Sequence, residues 1–93
     1  MAIKIEVSNA KTLPTYEQIE SIIEANEILT IEDWTLTINA NNGFTLSVLP
    51  YSAVVDADRI HEAAKQLTHH IVLELIRLCD IVGYSSSITY DNS

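Results

Sequence analysis

Trp34-Thr35-Leu36-Thr37-Ile38-Asn39-Ala40-Asn41-Asn42-Gly43-Phe44-Thr45-Leu46-Ser47-Val48 is the stretch that decides the fold. Apolar residues recur at every second position on both sides of Asn41-Asn42-Gly43: Trp34, Leu36 and Ile38 before it, Phe44, Leu46 and Val48 after it. A period of two sends alternate side chains to opposite faces, so the stretch reads as two half-buried strands joined by a tight turn. A two-residue turn at Asn42-Gly43 sets Ile38 opposite Ser47 and mismatches the faces. A three-residue loop pairs Ala40 with Phe44, Ile38 with Leu46 and Leu36 with Val48. Because a one-residue slip inverts every side chain, the pattern predicts the longer loop, with Gly43 in the left-handed bulge position. Pro50 ends the second of these strands.

Upstream, Ile3, Ile5 and Val7 alternate with Lys4 and Glu6, which gives another half-buried strand. Thr15 with Gln18 three residues on is a capping box. Behind it, Ile19, Ile22 and Ile23 form an apolar stripe at helical spacing, extended by Tyr16, and Asn26 lies near the helix end. Downstream, Asp56 suits the N-cap of a second helix with Asp58 in its first turn. Ile60, Ala63, Ala64, Leu67, Ile71, Leu75 and Leu78 keep one face of that helix apolar to Asp80 or Val82, with Gly83 as the stop. A last strand is predicted over Ser86–Tyr90.

The order strand, helix, strand, strand, helix, strand is the split βαβ arrangement. It predicts an α+β, ferredoxin-like fold: a single-layer antiparallel four-stranded sheet with two helices on one face. The chain of 93 residues is expected to form a single domain, 1–93, with two Gly and two Pro leaving little room for linkers. That topology serves many unrelated functions and carries no functional warrant.

Charge is the strongest functional signal. The net charge is -8, and no Lys or Arg lies between Lys11 and Arg59. Within that gap Glu17, Glu20, Glu24 and Glu27 fall in one stripe of the first helix, with Glu32 and Asp33 beyond them. A one-signed surface attracts basic proteins and cations and repels nucleic acid and anionic lipid. The second helix carries a different signal. Val72, Leu73 and Ile76 lie well away from its core face, and a helix apolar nearly all round needs cover on more than one side. These three residues are expected to form an oligomer interface, giving a homodimer.

Other chemistries are weakly represented. His61, His69 and His70 do not share a helix face, and a zinc site needs three or four convergent ligands, so neither a metal nor another cofactor is expected. His70 and Glu74 are spaced to pair at i, i+4. The single Cys79, in an apolar run, reads as a small core residue. Ser85-Ser86-Ser87 read as strand residues, with no nucleophile elbow and no Gly-rich phosphate loop anywhere. Five basic residues against thirteen acidic ones oppose direct nucleic-acid binding. The outward strand positions hold Ser and Thr rather than base-stacking aromatics. The apolar run Ile71–Val82 is interrupted by Glu74, Arg77 and Asp80 and is too short to cross a bilayer, and no cationic region precedes an apolar stretch at the N-terminus. A cytoplasmic protein without membrane contact is the expectation.

Together these features favour a small acidic, non-enzymatic protein–protein interaction module that docks on a basic protein surface. One form is an inhibitor of the kind phages and mobile elements encode, occupying a nucleic-acid-binding groove with carboxylates where phosphates sit. The alternative is a homo-oligomeric ligand-binding or regulatory domain with a pocket at the subunit interface.

Overall fold

The computed structural model describes residues 1–51 and 57–90. Six elements follow one another: β1 (Ala2–Ala10), α1 (Tyr16–Ala25), β2 (Ile31–Ile38), β3 (Phe44–Pro50), α2 (Ala57–Cys79) and β4 (Ile81–Thr89). The strands form one sheet in the order β2-β3-β1-β4, every neighbouring pair antiparallel. This is the ferredoxin-like α+β arrangement that the alternating segments predict. The Asp56 cap expected for α2 lies outside the described residues.

Parity of the strands builds the core. Ile3, Ile5 and Val7 of β1 stand opposite Val48, Leu46 and Phe44 of β3, and all six are buried. Ile19, Ile22 and Ile23 of α1 and Ala64, Leu67, Ile71 and Leu75 of α2 close over them. Each large side chain so removed from water contributes roughly 1.5–3 kcal/mol, which makes this central pair of strands the anchor of the fold. The other sheet face is open. Its rows run Thr35–Ser47–Lys4–Ser87 and Thr37–Thr45–Glu6–Ser85, with Lys4 and Glu6 in an ion pair of 2.9 Å.

The hairpin corrects the expected register. Ile38 pairs with Phe44, Leu36 with Leu46 and Trp34 with Val48, so each β3 residue meets a β2 partner two residues earlier in the chain than the predicted ladder gives it. Asn41 and Asn42 take positive φ, 60° and 57°, while Gly43 does not. Gly43 N–H donates to Ala40 O at 3.2 Å, so the turn runs from Ala40 to Gly43 with both central residues left-handed, the type I′ signature. A bare two-residue turn there sets Ile38 opposite Thr45 and mismatches the faces. Ala40 is the extra residue that restores parity, with Asn39 N–H donating to Gly43 O at 2.8 Å.

The junction of α2 and β4 is the second correction. The helix stops at Cys79, and Asp80, at φ 52°, turns the chain straight into β4. Gly83 is a strand residue opposite Asn9, and the strand begins five residues before the predicted Ser86. Ile81 fixes this geometry: it pairs with Ala10, and both are buried.

Candidate functional site

Thr15 caps α1 as predicted. Its hydroxyl accepts from Gln18 N–H at 3.1 Å, and Gln18 Oε1 accepts from Thr15 N–H at 2.9 Å. With Ile19, Ile22 and Ile23 turned to the core, Glu17, Glu20 and Glu24 emerge on the opposite flank, all exposed. They span about 10 Å along the axis. Among the described residues none of the three is joined to a basic side chain. Glu17 sits in the first turn, where the helix dipole favours it; Glu24 lies in the last, which carries no basic residue.

The rest of the predicted acidic set is dispersed. Glu27 is not on the helix. Asn26 ends α1, its side-chain amide donating to Ile23 O while its Oδ1 accepts from Ile28 and Leu29 N–H at 2.8 and 3.1 Å. Glu27 is therefore an exposed loop residue just past that cap. Glu32 falls where the β2–β3 register shifts. Asp33 pairs with Leu49, and its neighbour Trp34 turns inward against Tyr16 of α1, ring centroids 4.5 Å apart. Asp33 thus faces the open side of the sheet, away from α1, where its Oδ1 accepts from Trp34 N–H at 2.9 Å. One row of three carboxylates remains, with Glu27 at its end.

The apolar flank of α2 is also smaller than expected. Val72 is 3% exposed and belongs to the chain's own core, because β4 reaches back along the helix. Leu73 and Ile76 are 47% and 42% exposed. Glu74 reaches Arg77 at 3.7 Å rather than His70. Cys79 is fully buried, and burial pushes its thiol pKa up, so it is held protonated. Among the described residues no three His, Cys, Asp or Glu side chains converge as metal ligands, and no described helix is long and apolar enough to cross a membrane.

Two of the depressions on the described surface stand out. The wider, about 610 Å³, lies around the hairpin turn beside Glu6, Ser8, Asn39 and Asn41. The other, about 400 Å³, is a groove between α2 and β4. His61, Lys65, His69 and Val72 form one wall, Tyr84, Ser86, Ile88 and Tyr90 the other. His61 Nδ1 and the Tyr90 hydroxyl are hydrogen-bonded across its end. Reading β4 as starting at Ser86 hides this groove, because Tyr84 then falls outside the sheet. The signal was present in two matching periodicities. Tyr84, Ser86, Ile88 and Tyr90 repeat every second residue, and His61, Lys65, Thr68 and Val72 share one helix flank.

No family model matches this chain, and no curated protein resembles it at a significant level. Function therefore has to be read from the geometry of these surfaces.

Proposed function

We propose that this protein is a non-enzymatic protein–protein interaction module that docks through α1 on a basic protein surface, of the type that otherwise binds nucleic acid. The observation that carries the reading is the exposed row of Glu17, Glu20 and Glu24, none of them ion-paired among the described residues. Such a row costs helix stability, because like charges at i, i+3 and i, i+4 repel and Glu24 opposes the dipole. A basic partner removes both penalties on docking, and the net charge of -8 steers it toward the site. Glu27 extends the surface; Asp33, on the opposite face, stands outside it.

The test is affinity capture from cell extract with wild type and with Glu20→Lys/Glu24→Lys. The proposal expects a basic protein that is retained by wild type, released as salt rises, and lost by the double variant. Identical capture by the two proteins contradicts it.

A second reading, self-association through α2, is favoured by the exposure of Leu73 and Ile76. Sedimentation at micromolar concentration tests it, since a homodimer exceeds the chain mass of 10.4 kDa.

A further inference from the structure

We propose that the groove between α2 and β4 is a binding site for a small organic anion, a phosphate or carboxylate carried on an aromatic ring. This site is separate from α1 and stands or falls independently of the docking proposal.

The groove exists because α2 packs over β1 and the inner part of β4 while β4 is the outermost strand. Tyr84, Ser86 and Ile88 pair with Val7, Ile5 and Ile3, whose side chains are in the core, so all three point to the helix side of the sheet. Tyr90 continues that alternation and is held at the end of the groove by His61. Its volume, about 400 Å³, falls in the range of roughly 300–1,000 Å³ typical of small-molecule sites.

Charge selects the ligand. Thirteen acidic residues outnumber five basic ones in this chain, yet no Asp or Glu is among the described residues that line the groove. Lys65 does, with His61 and His69 on the same helix flank. Lys65 has no carboxylate partner among the described residues. An ammonium group carries three N–H donors and no acceptor, so the complement it seeks is an anionic oxygen. His69 and the Tyr84 and Ser86 hydroxyls add donors around it, whereas the Thr68 hydroxyl is already committed to Ala64 O at 2.8 Å. Val72, Ile88 and the two tyrosine rings supply apolar and aromatic surface, which suits a planar ring in offset or edge contact. A free inorganic anion uses only the polar half of this wall. A cation meets Lys65 and finds no carboxylate among the described residues of the groove. A ring bearing an anionic group uses both halves.

The test is an NMR titration of the full chain with phenyl phosphate and phenylacetate, with phenol and benzylamine as neutral and cationic counterparts. The expected result is saturable shifts at the amides of Lys65, Tyr84, Ser86 and Ile88 with either anion. Phenol should bind about tenfold more weakly, since it lacks the charge-assisted contact, and benzylamine should not saturate the site. Lys65→Met, at an exposed position, should keep the native spectrum and weaken phenyl phosphate to the level of phenol. Phosphate preferred over carboxylate, or the reverse, narrows the ligand and supports the site. Equal binding of benzylamine, shifts scattered away from the groove, or unchanged affinity in Lys65→Met overturns the proposal.

Discussion

Gly43 is held by close approach rather than by φ. A Cβ built on it meets Val7 O at 2.8 Å and Ala40 O at 3.2 Å, both backbone atoms that move only with their strands. Gly43→Ala should therefore destabilise the protein by about 1–3 kcal/mol, read as a shift of the urea midpoint. A neutral substitution would show that β1 and the turn separate easily. Asp80 is the opposite case. It bears a left-handed φ of 52° with a Cβ, and its negative charge sits at the C-terminal end of α2. Its ion pair with Lys11, at 3.4 Å, is exposed and worth little. Asp80→Gly should raise stability by about 0.5–1 kcal/mol, because relief of the αL strain and of the dipole conflict outweighs the entropy of a glycine. A loss of stability would mean that the Lys11 contact organises the helix end. At this scale the sequence was read correctly in residue type and misread in position. Asn41, Asn42 and Gly43 do make the turn, but Asn tolerates left-handed φ well enough to release Gly43 for contact with β1. A contact between strands distant in sequence leaves no local trace.

Existence of all six elements was legible because each carries a clear period, and the Thr15 capping box set the start of α1 to the residue. Boundaries were harder where apolar sequence runs across them. Ile81-Val82 continues the helical pattern of α2, and only pairing of Ile81 with Ala10 assigns it to β4. That reassignment buries Val72 and reduces the apolar flank of α2 to Leu73 and Ile76. If these two residues meet a second copy, Ile76→Glu should return the sedimenting mass to that of one chain without unfolding it. Wild type that sediments as a monomer at high concentration removes the self-association reading. On α1, Glu20→Lys/Glu24→Lys should leave the helix intact and raise its stability by a few tenths of a kcal/mol, since repulsion becomes attraction toward Glu17 and positive charge moves to the C-terminal turn. A fall in the thermal midpoint would show that the row is already balanced within the chain.

Across the whole molecule, charge and chemistry are segregated. α1 presents carboxylates on the helix side, the open sheet face presents Ser and Thr with Asp33 and one Lys4–Glu6 pair, and the groove beside β4 carries Lys65 with no acidic residue among the described ones that line it. The acidic bias was legible from composition. Its division between two faces was not, because it depends on which side of the sheet Asp33 occupies and on Asn26 ending α1 before Glu27. Each wall of the groove was legible as a periodicity, but their meeting was not, since only the fold joins them.

The most direct test of the docking claim is the affinity of a captured basic partner, purified, for wild type and for Glu20→Lys/Glu24→Lys, measured by calorimetry at low salt and above about 0.15 M, where the screening length falls to roughly 8 Å. The predicted result is binding by wild type that weakens as salt rises, and a loss of at least about tenfold in the folded double variant, the factor that roughly 1.4 kcal/mol of lost charge pairing produces. Equal affinity of the two proteins, or binding indifferent to salt, would contradict the claim that α1 is the docking surface.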